Sequence, residues 1–203
     1  MYVNIKNYCD TLVNQFEKIS VERRKLLETI THYIKSKQEL NKPVNLVYIC
    51  THNSRRSHYG QIWSHVAANY YGIKNIHSFS GGTEVTAFNL NAINSLIRFG
   101  FVVKQMNTSV NPTYHILDDD NESPSVCFSK TYDHLQNPQK EFVAIMTCSE
   151  AEEDCPFIPG AELRVGTTYE DPKLFDNTLQ QDAKYDERCR QIALETLYVF
   201  SKL

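Results

Sequence analysis

Val44-Asn-Leu-Val-Tyr-Ile-Cys50-Thr-His-Asn-Ser-Arg-Arg56-Ser57 decides the reading of this chain. Val44 to Cys50 is a short apolar run of strand character. From Ser57 the period changes: Ile62, Val66 and Tyr70 fall on one helical face, and Gly72 is placed to cap its end. A loop from Thr51 to Arg56 therefore joins a buried strand to a helix. Such a loop gathers backbone N–H groups into one concavity, backed by the positive end of the helix, and favours a bound oxyanion or a thiolate. Cys50 stands at the strand end as a nucleophile. Arg56 stands six positions later, where its planar fork can grip two oxyanion oxygens, and Ser57 can donate a hydrogen bond to the Cys50 sulfur.

Outward from this loop the chain alternates. Ile76 to Phe79 is a second strand ending in Ser80-Gly81-Gly82, Asn89 to Phe99 a helix stopped by Gly100, and Phe142 to Thr147 a third strand. Glu162 to Gly166 is a fourth, and a closing helix occupies Thr178 to Leu203. Strands alternating with helices predict a four-stranded parallel sheet with helices on both faces, an α/β fold whose ligands bind at the carboxyl ends of the strands. Residues 1–42 read as a helical hairpin, with Ser20 as N-cap and Asn41-Lys42-Pro43 as the break, and residues 43–203 as the α/β domain. The hairpin reads either as a partner-binding arm or, the plainer expectation, as a cover for apolar surface. Residues 112–133 interrupt the alternation with two strand-like runs, TYHIL and SVCFSKTY, around a turn-rich centre, and predict an inserted β-hairpin.

The composition is that of an ordinary globular chain: 203 residues, 41% hydrophobic, 22% charged. A net charge of −3 argues against non-specific binding to nucleic acid or an anionic membrane. No run reaches the length of a membrane span. Six cysteines without a secretory leader predict a reducing, cytoplasmic setting, in which cysteine spacing means catalysis or metal before disulfides. The C-x6-C pair Cys148 and Cys155 does not have zinc-ligand spacing and no His cluster accompanies it, so no metal or other cofactor is expected.

The C-x5-R-S loop, with Asn53 inside it, resembles that of the low-molecular-weight protein tyrosine phosphatases. That family places its general acid in an Asp-Pro pair after the fourth strand, and here Glu170-Asp171-Pro172 follows ELRVGTTY. The resemblance implies a flavodoxin-like sheet, oxyanion binding by Thr51, His52, Asn53, Ser54, Arg55, Arg56 and Ser57, and proton donation by Asp171. The chain departs from the family at His52, where Gly is usual, and at Arg55, where Cys is common. Both changes add possible positive charge near the sulfur, and a side chain at 52 opposes any glycine-like backbone there.

Cys148-Ser-Glu-Ala-Glu-Glu-Asp-Cys155-Pro156 is similar to the redox segment of the thioredoxin-coupled arsenate reductases, a branch on the same fold. This resemblance implies reduction of arsenate to arsenite through Cys50, Cys148 and Cys155, with thioredoxin restoring the thiols. The alternative it leaves open is a phosphotyrosine or phosphomonoester phosphatase using Cys50, Arg56 and Asp171, with Tyr169 or Phe175 supplying a ring for the substrate. A third reading, a non-enzymatic anion-binding module, expects loss of the nucleophile, clamp or acid, and all three are present. Cys9, Cys127 and Cys189 read as structural, Trp63 as core, and His52 and His58 as packing or surface residues flanking the loop.

Overall fold

A computed structural model of the chain describes residues 1–120, 124–154 and 157–203. Its centre is β1 (Val44–Cys50), nearly all of it buried as its unbroken apolar run requires. β2 (Ile76–Gly82) pairs with it in parallel from Val44 opposite Ile76 to Cys50 opposite Gly82. On its other side β6 (Phe142–Met146) pairs Leu46 with Val143, and β7 (Ala161–Gly166) follows β6. The order β2-β1-β6-β7 is that of a doubly wound parallel sheet, and all four carboxyl ends open on one side of it. The segments leaving those ends carry Cys50, Gly82, Cys148 and Asp171, so topology alone brings the candidate chemistry to one edge.

On one face, Leu46, Tyr48, Val143 and Ile145 share a core with α3 (Arg56–Tyr71), α6 (Gln181–Phe200) and α4 (Leu90–Arg98). Trp63 is fully buried there, and its indole N–H donates to Cys189 Sγ at 3.2 Å. The same core takes in α1 (Val3–Val13) and α2 (Val21–Glu39) through Ile5, Cys9, Leu12, Leu27, Ile30 and Ile34. The first two helices thus pack on α6 and cover apolar surface. Ser20 caps α2, its hydroxyl accepting from the Arg23 amide, and Gly72 ends α3 at φ +68°. The opposite face of the sheet is thinner: Val47, Ile49, Ala144 and Met146 pack with Cys148, Ala151 and Ile158, beside the short helix α5 (Ser149–Asp154).

β3 (Val102–Gln105), β4 (Tyr114–Leu117) and β5 (Ser125–Cys127) form a second, antiparallel sheet. β4 and β5 are the two strand-like runs of the interrupting stretch, and β5 stops at Cys127. Beyond it the chain turns back to the main sheet, where Thr131 bridges to Gly82. Among the described residues no helix is long and apolar enough to cross a membrane.

Candidate active site: a cysteine cradle at the end of the first strand

The loop from Cys50 to Arg56 is held by its carbonyls. Cys50 O accepts from the Thr83 amide, Thr51 O from the Glu84 amide, His52 O from the hydroxyls of Thr86 and Ser129, and Ser54 O from the Asn89 amide. In a trans peptide the C=O of one residue and the N–H of the next point in opposite directions. With the carbonyls tied outward, the amides of Thr51, His52, Asn53 and Arg55 turn into the concavity. Gly82 permits this closeness, because a Cβ there would lie 2.6 Å from Thr51 O and 2.7 Å from Asn53 N.

Asn53, not His52, takes the left-handed backbone conformation, at φ +42°. Asparagine tolerates it, and a side chain at 52 is therefore unstrained. The fully buried Asn53 amide also organises the sulfur site: its Nδ2 donates to Ser57 Oγ at 2.9 Å and its Oδ1 accepts from the Lys130 amide at 2.9 Å. Ser57 Oγ, its lone pair engaged, has its hydrogen free for Cys50 Sγ at 3.1 Å. His52 leans outward to Glu84, 3.3 Å away. His58 is buried against Phe88, ring centroids 4.0 Å apart, and burial pushes its pKa well below the ordinary value, so it is a neutral packing residue.

Arg56 reaches across to the acid loop. Nη1 donates to Tyr169 O and Nη2 to Asp171 Oδ2, both at 2.7 Å, while the buried Nε has no partner among the described residues. Asp171 caps the short 3-10 turn Pro172–Phe175 by accepting from the Lys173 amide, and Pro172 begins that turn. Arg55 stands beside the same acid: its Nε lies 3.9 Å from Asp171 Oδ1 and donates to Tyr185 Oη at 2.8 Å, and its Nη2 lies 3.5 Å from Asp176, to which Tyr185 also donates. The His52 side chain thus turns away from the loop, while the Arg55 side chain is held between Asp171, Tyr185 and Asp176.

Cys148 is buried beside the loop, with its Sγ 3.4 Å from Thr51 Oγ1. Burial raises its pKa above the ordinary thiol value. Cys155 lies outside the described residues. Cys9, Cys127 and Cys189 are buried in the core, their thiols each pushed up to about 12 by desolvation. Tyr169 does not offer a ring to a substrate: it is buried, its hydroxyl donates to Glu195 Oε2 at 2.8 Å, and the Arg23 guanidinium lies 4.9 Å from its ring centre.

Three groups were illegible in the sequence. Arg23 on α2 donates to Glu195 Oε2 and to Thr167 O, so the N-terminal helices reach the acid loop. Ser129 and Lys130, just past β5, buttress His52 and Asn53 from outside. A lone Arg on an amphipathic helix and a Ser-Lys pair after a strand carry no local signal. Only the folded contacts reveal them.

No family model and no curated protein matches the chain. Among solved structures, a low-molecular-weight phosphotyrosine phosphatase from Vibrio cholerae O395 superposes with a TM-score of 0.53 at 15% identity, covering 78% of this chain and 95% of that one. A low-molecular-weight protein tyrosine phosphatase from T. tengcongensis gives 0.52 at 13% identity, over 79% and 99% of the two chains. An arsenate reductase in the phosphate-binding state gives 0.49 at 16% identity, over 78% and 98%. At these identities the likeness is one of fold, and the fold is that of the low-molecular-weight tyrosine phosphatases.

Proposed function

We propose that this chain reduces arsenate to arsenite by a thiol–disulfide cascade that starts at Cys50 and is reset by thioredoxin. The observation that carries the reading is the meeting of two thiols at one loop. Cys50 ends β1 at the loop's base, and Cys148 is hydrogen-bonded to the very next residue, Thr51. Arsenate sits on the inward amides and takes Nε of Arg56. The Cys50 thiolate attacks arsenic, an S–As bond forms, and one oxygen leaves as water with the proton from Asp171. Cys148 then attacks the Cys50 sulfur. An S–S bond forms, the S–As bond breaks, and its electron pair stays on arsenic, which departs as arsenite: two thiols oxidised, one arsenic reduced by two electrons.

Burial keeps Cys148 protonated, so this step requires the segment around α5 to open and the thiol to ionise. Cys155 next attacks Cys148, frees Cys50, and leaves a Cys148–Cys155 disulfide for the external dithiol. Hydrolysis of a phosphate ester is the second reading, because Cys50, Arg56 and Asp171 also suit a cysteinyl-phosphate intermediate. Against an aryl substrate stands Tyr169, turned inward onto Glu195, with Lys173 and the exposed Leu174 following the Asp-Pro pair.

Cys155→Ser separates the two. It should release about one arsenite per chain and then stop, with steady arsenate turnover by thioredoxin collapsing and aryl phosphate hydrolysis by the reduced protein unchanged. Undiminished steady arsenate turnover would remove Cys155 from the cascade.

A further inference from the structure

β2 is the edge strand of the main sheet, and the chain after β5 seals only its end. Gly82 N donates to Lys130 O at 2.8 Å, Tyr132 N to Gly82 O at 2.9 Å, and Asn137 Nδ2 to Ser80 O at 3.0 Å. Backbone direction repeats every second residue along a strand. Ser78 therefore presents its own N–H and C=O to the same side, where no strand of the described residues pairs with it. Between that open edge and the β4–β5 hairpin lies a cavity of about 260 Å³, lined by polar groups that include Gln61, Ser78, Ser125, Lys130 and, at the mouth, His77 and Gln136.

Lys130 is the unusual member. The residue is 4% exposed, yet among the described residues its ammonium makes no hydrogen bond and no ion pair; the Phe128 ring lies 4.7 Å away, and its charge is felt by Cys127 and His58. Burial lowers its pKa below the ordinary lysine value. No carboxylate of the described residues lines the cavity. Asp118, the partner of the lining residue His65 at 3.3 Å, also accepts from Asn69 Nδ2 at 3.1 Å. Gln61 holds the walls together, accepting from Ser80 Oγ and donating to Val126 O. A largely desolvated cation without a counter-charge, reaching water only through the cavity it lines, is costly to keep in a folded chain.

We infer that this cavity is a second anion site, separate from the Cys50 cradle, which takes a small phosphate- or carboxylate-bearing ligand on the Lys130 ammonium and the open backbone edge of Ser78. A volume of this size holds such an ion with little more than its nearest substituents. The anion supplies the acceptor that Lys130 lacks, and the Ser78 N–H adds a neutral donor at the edge.

The test uses the full-length chain with the cradle clamp removed. ¹⁵N-labelled Arg56→Ala protein is titrated with inorganic phosphate and, in parallel, with malonate. One ion or both should shift the amides of Ser78, Val126 and Lys130 saturably, and the stronger of the two identifies the preferred group. Adding Lys130→Met should weaken that binding about tenfold or more, the loss of one charge-assisted contact. Should Lys130→Met not fold, Gln136→Glu serves instead: it sets a carboxylate at the exposed mouth and should weaken binding in the same direction. Amides of Ser78 and Val126 that stay still with both ions across the millimolar range overturn the site, as does saturable binding that neither substitution weakens.

Discussion

Asp171 lies between two guanidinium groups, 2.7 Å from Arg56 Nη2 and 3.9 Å from Arg55 Nε, and an oxyanion competes with it for the first. Arg56 spends two of its donors on the acid loop, and the pair Nη2 to Asp171 Oδ2 is only partly exposed. Asp171→Asn keeps an acceptor for Arg56 but removes the negative charge that competes with the oxyanion. Inhibition by phosphate should tighten by roughly fivefold, the ~1 kcal/mol of a partly screened pair. Turnover of substrates with poor leaving groups should fall by about a hundredfold or more, while good leaving groups lose little. Weaker phosphate inhibition together with equal loss for all leaving groups would make Asp171 a structural cap of the 3-10 turn and nothing more. At this scale the sequence was most legible, since C-x5-R-S, Asn53 and Asp-Pro each carry their chemistry in residue type and spacing. The partners of Arg55 were not legible: a cation in such a loop reads as an anion ligand, and only the folded contacts show it held by Tyr185, Asp176 and Asp171.

Elements matter most where the N-terminal helices meet the acid loop. Arg23 of α2 donates through Nε and Nη2 to Glu195 on α6, which also receives the Tyr169 hydroxyl, and Tyr169 O receives Arg56. Arg23→Met strands a buried carboxylate and should cost about 3 kcal/mol, visible as a lower urea midpoint. The double variant Arg23→Met with Glu195→Gln should recover most of that loss, because glutamine still accepts from Tyr169 without a charge. A double variant as unstable as the single one would place the damage in lost packing. The four strands and the long helices were legible because their apolar periods are long and unambiguous. β3, with mostly exposed residues in VVKQ, and α5, six residues of acidic sequence, have too little apolar pattern to announce themselves; both exist because neighbouring segments hold them.

Across the whole molecule, stability is tied to pH through the packing behind the cradle. His58 is buried and neutral, with a pKa well below the ordinary 6.5. Between those two values the unfolded chain binds the proton and the folded chain does not, so stability is complete above about pH 6.5 and declines as pH falls toward the folded value. Urea midpoints should drop between pH 7 and pH 5.5, and His58→Leu should shrink that drop. An unchanged pH slope in His58→Leu would assign acid sensitivity to other groups.

The central claim concerns where two electrons come from, and a single turnover reads this directly. Fully reduced protein is mixed with excess arsenate and no external dithiol, then arsenite and free thiols are counted and the disulfide is located by peptide mapping. The account predicts about one arsenite per chain, two thiols lost, and a bond between Cys148 and Cys155. No arsenite and all six thiols intact, in a protein that still hydrolyses an aryl phosphate, would contradict it.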